Sequence, residues 1–337
     1  MSTVAQEVQD VFQTCRKRLG AAARLGISAV LFDRNGERCT DVGFNEHQRF
    51  PMASVVKVPL AMLVASEVAN GSLSLHEEIS IHSRTASPGL VANPLDRLYF
   101  SPFNAVRRCT VDQLMGFMLR NSDNTATDAL LHRLGGISAL TKFLVHKLHV
   151  GGICVKRTMD ELLTYYYGLQ RYDVPEGRHQ GVRHRIGTIV ANICRMWSPY
   201  VCRLNPEEHL VDSGEDTCTA RAIADVLTQL TMNPQYAGVY SHMLYCATNR
   251  RRIAKGLQEH RAIIKSFGHK TGSIGAIAND VGIIHFNNGQ FAVIAVLTCL
   301  YKTRMSIRDE EIAGVTCAIV RRWRMEHLMG KSASIGA

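Results

Sequence analysis

Apolar and polar positions alternate with a helical period at the start of the chain, where Val4, Val8, Val11 and Phe12 predict an amphipathic helix within residues 1–18. The pattern then changes to β. Gly26 to Phe32 is a β-branched, apolar run closed by Asp33-Arg34-Asn35-Gly36, and the Asn-Gly step predicts a hairpin with Cys39 to Phe44 returning. A long apolar helix is expected over Val58 to Val68, stopped by Asn70-Gly71, with Ser72 to Ser80 following as a loop and short strand. Thr85 to Phe103 holds Pro88, Gly89, Pro94 and Pro102, so it reads as a loop or broken helix.

Helical spacing resumes at Val111, Leu114, Met115 and Met118 behind Thr110. Further helices are expected from Thr125 to the Gly135-Gly136 stop and over Ser138 to Leu148. Tyr165 to Asp216 is rich in His, Arg and Gly and offers one helical piece, Ile186 to Met196. Thr219 to Thr231 and Tyr236 to Cys246 are helical again. Three strands close the pattern: Ile263 to Phe267, then Val281 to Phe286 and Phe291 to Leu300 around Asn287-Asn288-Gly289. A basic amphipathic helix spans Asp309 to His327. The order implies an α/β fold of the α+β type, with an antiparallel sheet built from both chain ends, flanked by terminal helices and interrupted by an all-helical lobe. The expected division is residues 1–53 with 238–337 for the α/β lobe and 54–237 for the helical lobe, including an enlarged loop at about 157–216.

Composition narrows the classes. With 337 residues and 46% hydrophobic content the chain can bury a large core. No stretch approaches the roughly 18 consecutive apolar residues of a membrane span, and the first residues carry charges in place of a signal-like apolar run. A cytoplasmic protein is expected, although an exported one with its leader removed would read alike. The 10 cysteines include no Cys-x-x-Cys pair, so they read mostly as small buried hydrophobes and not as a zinc site. The net charge of +10 sits in short clusters (Arg16-Lys17-Arg18, Arg107-Arg108, Arg250-Arg251-Arg252, Arg321-Arg322) with no aromatic ladder beside them. That favours a basic surface attracting an anionic small molecule over nucleic-acid binding.

The chemistry centres on Arg49-Phe50-Pro51-Met52-Ala53-Ser54-Val55-Val56-Lys57. Ser54 is a good N-cap type at the start of an apolar helix, and Lys57 lies one turn on, on the same face. A serine hydroxyl needs a base, and a lysine whose charge is disfavoured by burial and nearby cations can serve. Ser-x-x-Lys alone is expected roughly once by chance in a chain this long. Here Ser122-Asp123-Asn124 and Lys270-Thr271-Gly272 follow it in order, one in a turn between helices, the other on a strand.

With these motifs the chain resembles the class A β-lactamases and penicillin-binding proteins, over about residues 20–325. The flanks, Arg49 to Ala53, Thr125-Ala126 and Asn279-Asp280, are similar too. The resemblance implies that Ser54 forms an acyl-enzyme while Lys57 helps remove its proton, and that Ser122 passes a proton to the leaving group. It further implies that Asn124 holds a substrate amide and hydrogen-bonds Lys57. Lys270, Thr271 and Ser273 would bind a substrate carboxylate, with Lys270 also orienting Ser122 by its charge. Backbone N–H groups of Ser54 and Ser273 would form an oxyanion hole, and Gly272 would let substrate approach the strand. Asp123 is expected to satisfy backbone donors in its turn. No metal or organic cofactor is called for.

One departure matters. Where class A enzymes place a glutamate and, four residues later, an asparagine that hold the deacylating water, this chain aligns Met159 and Leu163. A thioether is no base, so Glu161 or Asp160, after a slip of one or two residues, is the candidate replacement. His179, His184 and His209 in the enlarged loop are alternatives, although surface histidines are the plainer reading. An arginine that assists carboxylate binding is replaced by Asn279, leaving Arg304 or Arg308 to serve. The expected function is therefore a β-lactamase-like serine hydrolase acting on a small acyl substrate that carries a carboxylate. The alternatives are an acyltransferase that passes the acyl group to an amine or alcohol, and a silent binding protein. Oligomeric state is not legible.

Overall fold

In the computed structural model, residues 23–90, 92–169, 178–197, 206–300 and 305–328 are described, with residues 10 and 13 ahead of them. Strands β1 (Arg24–Phe32) and β2 (Arg38–Phe44) form a hairpin. The short β3 (Phe50–Pro51) and a 3-10 turn, Ala53–Val56, lead into helix α1 (Lys57–Ala69). A ribbon of β4 (Glu78–His82) and β5 (Val106–Thr110) precedes α2 (Val111–Arg120), α3 (Asn124–Arg133) and α4 (Gly136–Lys142). The short β6 (Ile153–Cys154) is followed by α5 (Met159–Tyr167), α6 (Arg178–Trp197) and α7 (Pro206–Ser213). Then come β7 (Thr217–Cys218), α8 (Ala220–Met232), α9 (Ala237–Leu244) and the single turn α10 (Ile253–Gly256). Strands β8 (Ile264–Ile274), β9 (Ile277–Phe286) and β10 (Phe291–Cys299) and helix α11 (Met305–Trp323) finish the chain.

The main sheet runs β2-β1-β10-β9-β8, antiparallel throughout. Its centre joins the chain's two ends, since β1 pairs along β10 from Arg24↔Cys299 to Phe32↔Phe291. Every residue of β10 is buried, because both sheet faces are covered. On one face Leu25, Ile27 and Ile294 pack with Ile312, Val315 and Trp323 of α11. On the other, Val30, Val293 and Leu297 join a larger core with α1 and with Ile223, Val226 and Leu227 of α8. Alternation along each strand thus feeds two cores at once. Among the described residues, no helix is long and apolar enough to cross a membrane.

The α/β character expected from the sequence is what the chain adopts, with local differences. Val106–Thr110 escaped notice as a strand because its arginines face outward and Cys109 alone in it is buried. Ser138 to Leu148 is not one helix: α4 ends at Lys142 and a π-helical turn, Phe143–Lys147, follows. Ser54 is not an N-cap. It lies within the 3-10 turn, whose first flanking residue, Met52, has helical dihedrals and no capping side chain. Of the eight cysteines among the described residues, all free thiols, only Cys109, Cys218, Cys246 and Cys299 are buried. Of the expected N-terminal helix only Asp10 and Gln13 are among the described residues, both helical.

The β8 strand is pressed against the 3-10 turn at Gly272. A Cβ there would lie 2.8 Å from the Met52 carbonyl oxygen and 3.3 Å from the Ser54 nitrogen. The glycine is therefore required by the turn that carries Ser54. Backbone cannot yield as a flexible side chain would. Gly272→Ala is expected to destabilise the protein by about 1–3 kcal/mol, the usual cost of overpacking, and to lower Tm. An unchanged Tm would show that strand and turn are not in enforced contact.

Candidate active site

The turn that offers Ser54 is held in an unusual backbone state. Ala53 has φ of 47°, a left-handed value that non-glycine residues adopt at a cost and that marks functional turns. Ser54 is itself largely buried. Asn279 of β9 secures the approach, its Nδ2 donating to the Pro51 oxygen at 2.9 Å and the Met52 oxygen at 3.1 Å. Lys57 opens α1 and is completely buried. Its Nζ donates to the Ser122 carbonyl oxygen at 2.7 Å and to Asn124 Oδ1 at 2.7 Å, and lies 3.3 Å from Ser122 Oγ. Burial is the main cause that brings its pKa down to about 7, and the Lys270 charge adds to it; Asp96, Asp123 and Asp128 pull the other way.

The Ser122 turn is fixed from below by two buried acids. Asp123 caps α3 by accepting from the Ala126 N–H, and its other oxygen accepts from the N–H groups of Leu95 and Asp96. Asp96 Oδ1 in turn accepts from the N–H groups of Asn124 and Thr125, while Oδ2 accepts from Asn93 Nδ2 and the Leu90 N–H. Burial, with Asp123 beside it, pushes the Asp96 carboxyl up. Asp96 was not singled out from the sequence; it sat in a stretch broken by prolines, and only the fold shows that it replaces missing backbone partners. Ser122 has φ of 60°. Asn124 is committed at both ends, its Nδ2 donating to the Pro88 oxygen at 2.8 Å.

Lys270 arrives from β8. Its Nζ donates to Ser122 Oγ at 2.9 Å and to the Thr271 oxygen at 2.7 Å, so two buried lysines meet on one serine hydroxyl. Burial lowers its pKa to about 8, with Arg252 acting in the same sense and Cys246 and Asp280 opposing. Thr271 Oγ1 is 2.6 Å from Thr248 Oγ1, and the exposed Ser273 accepts at Oγ from Arg252 Nη2 at 2.7 Å. Arg252 also donates to the carbonyl oxygens of Asn279 and Gly272 and to Asp309. The sequence had offered Arg304 or Arg308 for an assisting arginine. Arg308 instead donates to the Gly275 oxygen at 3.0 Å, and Arg304 lies outside the described residues. Arg252 was hidden in a run of three arginines that looked like solvated surface; the buried Ile253 next to it was the available signal.

Around α5 the carboxylates have local partners. Asp128 accepts from the N–H groups of Met159 and Asp160 and from the Ser87 hydroxyl, and burial pushes its pKa up to about 6. Glu161 accepts from the Thr158 N–H in a capping box. Asp160 is half-buried, and Met159 and Leu163 are buried. The enlarged loop is pinned at its neck, where Arg157 pairs with Glu215 and Asp216, each at 2.6 Å. His209 is exposed against the Tyr165 hydroxyl, and the side chains of His179 and His184 lie outside the described residues. Glu259, His260 and Cys317 bring possible metal ligands within 4.8 Å of one another, with the Arg321 cation 3.5 Å from the Glu259 carboxylate.

Comparison with known proteins bears on the family and the fold. A family model described as "Beta-lactamase enzyme family" matches residues 3–321. β-Lactamase VEB-1 of Pseudomonas aeruginosa is 24% identical over 300 residues, covering 87% of this chain and 83% of that protein. β-Lactamase SME-1 of Serratia marcescens is 24% identical, covering 83% and 77%. Among solved structures, the reconstructed last common ancestor of Gram-negative class A β-lactamases superposes with a TM-score of 0.67 at 22% identity, covering 96% of this chain and all of that one. A β-lactamase from Chitinophaga pinensis gives 0.67 at 19% identity, covering 95% and 99%. These structures share the fold, and the family match spans nearly the whole sequence. The chain belongs to the β-lactamase enzyme family of serine hydrolases.

Proposed function

We propose that this enzyme cleaves a small amide or ester substrate bearing a carboxylate, by acylation of Ser54. One observation carries the reading: Ser122 Oγ lies between two buried lysine nitrogens, 3.3 Å from Lys57 and 2.9 Å from Lys270. Two full charges in one dry pocket repel, so near neutrality one proton is readily lost, and Lys57 has the lower pKa. A neutral Lys57 uses its two N–H groups on the Ser122 and Asn124 carbonyl oxygens and keeps a lone pair for a proton. In the proposed step, Ser54 Oγ attacks the acyl carbonyl and its proton passes to Lys57. The oxyanion rests on the Ser54 and Ser273 N–H groups. The Ser122 hydroxyl then donates its proton to the leaving group and is reprotonated from Lys57. Lys270, Thr271 and Ser273 hold the substrate carboxylate, with Arg252 behind them.

Deacylation is proposed to be slow. Met159 and Leu163 present apolar side chains where a water would need a base, Asp128 is engaged by backbone donors, and Glu161 caps its own helix. Glu161 and Asp160 are the proposed replacement bases if water is activated at all. A long-lived acyl group also favours, as a second reading, transfer to an amine.

Incubation with a penicillin should give an intact-mass adduct that persists for many minutes and is absent in Ser54→Ala. Rapid turnover with no adduct would show efficient water activation, and loss of that turnover in Glu161→Gln but not Asp160→Asn would name the base. Added amines that release the adduct as an amide would favour the transferase reading.

The acylation rate is expected to follow a narrow bell in pH. It rises through about pH 7 as Lys57 loses its proton, and falls above about pH 8 as Lys270 loses the charge that binds the carboxylate. Stopped-flow acylation with a chromogenic cephalosporin measures this. A flat profile from pH 6 to 9 would remove both lysines from these roles.

A further inference from the structure

The enlarged loop contains a buried carboxylate that has no part in the acylation chemistry. Glu207 lies on the first turn of α7 and is almost wholly buried. Its Oε1 accepts from the Tyr166 hydroxyl of α5 at 2.6 Å and from the Ala276 N–H at 2.9 Å, while Oε2 accepts from the Leu300 N–H at 2.9 Å. Donors from three separate elements thus offset the cost of taking this carboxylate out of water. They share a location. Ile274 pairs with Ile277, so β8 and β9 are joined by a two-residue turn of Gly275 and Ala276, and Leu300 directly follows β10. Glu207 therefore fastens the enlarged loop to the tip of the β8–β9 hairpin. Gly275 has φ of 52°, and a Cβ there would overlap the Tyr166 hydroxyl, so the tip and the ring are in direct contact. Arg308 holds the same turn from its other side, donating to the Gly275 oxygen at 3.0 Å.

This contact closes one end of the site. β8 is the outermost strand of its sheet, and it meets the Ser54 turn at Gly272. Gly275 lies three residues on, about 10 Å along an extended chain. In the proposed acylation the substrate carboxylate and leaving group lie toward Lys270, Thr271 and Ser122. The acyl group, with its carbonyl oxygen on the Ser54 and Ser273 N–H groups, extends the other way, along β8 toward Gly275. On α5, Met159, Leu163 and Tyr166 are buried on one face, and Tyr166 brings that face up against the hairpin tip. We infer that Tyr166, held in place by Glu207, is a specificity-determining residue: it shuts the far end of the acyl pocket, so the enzyme takes substrates with short acyl groups and rejects bulky ones. An untied ring could swing aside for a larger group. Here that movement would leave a buried Glu207 oxygen short of a donor, which is costly. The enlarged loop thereby acts on substrate choice through a side chain of its own.

The inference rests on the proposed acylation of Ser54. Acylation rates are followed by intact mass for two penicillins alike except in the side-chain acyl group, acetyl in one and an ortho-disubstituted benzoyl in the other. The readout is the ratio of the two rates in one preparation, which does not depend on how much of a variant is folded. In the wild-type protein the acetyl compound should react at least about tenfold faster, the discrimination typical of a pocket too small for the added carbons. Tyr166→Ala should abolish most of that preference by speeding the bulky compound. Tyr166→Phe keeps the ring but frees it from Glu207, and should lose part of it. Labelling at Ser54 with equal rates in the wild type, or a ratio unchanged in Tyr166→Ala, overturns this inference alone. Full selectivity in Tyr166→Phe removes Glu207 from it. A wild-type protein labelled by neither compound nor by a simple activated ester overturns the Ser54 reading, and this inference with it.

Discussion

Everything at the centre of this molecule depends on keeping two lysine nitrogens out of water within reach of the same hydroxyl. Burying an ammonium is costly unless it is paired or loses its proton, and here two must be accommodated. The fold answers with carbonyl oxygens from Ser122, Asn124 and Thr271 aimed at the nitrogens, and with carboxylates one layer further out. Asp96, Asp123 and Asp128 influence Lys57 from a distance without pairing with it directly. A direct ion pair would lock the proton in place; a remote carboxylate field leaves it transferable. Lys270 stands in a similar field, made by Cys246 and Asp280.

The same acids do structural work, which explains their burial. Asp96 and Asp123 together supply acceptors for backbone donors at residues 90, 95, 96, 124, 125 and 126. A loop that would otherwise carry orphaned N–H groups can therefore be folded inward against the Ser122 turn. Asp128 serves the start of α5 in the same way. Positioning and electrostatics thus come from one set of side chains, so the turn's geometry and the charge state of Lys57 cannot be altered independently.

The periodicity of the sequence was enough for the sheet and for most helices, since strands such as Phe291–Cys299 and helices such as Ala220–Met232 bury regular faces. It misled where local chemistry and long-range contact diverge. Val106–Thr110 has the surface of a loop and becomes a strand because Glu78–His82 is there to pair with it. Ser54, with the side chain of a good cap, sits inside a 3-10 turn since β8 and Asn279 determine the backbone. Lys57, Ser122 and Lys270 could be picked out by motif, because each motif is short and contiguous. Asp96 and Arg252 could not: each gains its role from partners far off in sequence, and each has an ordinary neighbourhood when read along the chain.

The pairing of residue 24 with residue 299 has a consequence for how the enzyme comes into being. Contacts between positions so far apart form late, because closing the intervening chain costs entropy before any pairing rewards it. The strand carrying Lys270 and the one carrying Asn279 pair directly with each other, and join β1 through β10. During synthesis the helical middle of the chain can be made, and Ser54, Lys57 and Ser122 exposed to solvent, before the wall that completes the pocket has left the ribosome. A nascent chain therefore holds the Ser54 turn without its β8–β9 wall until the last strands of the sheet are made.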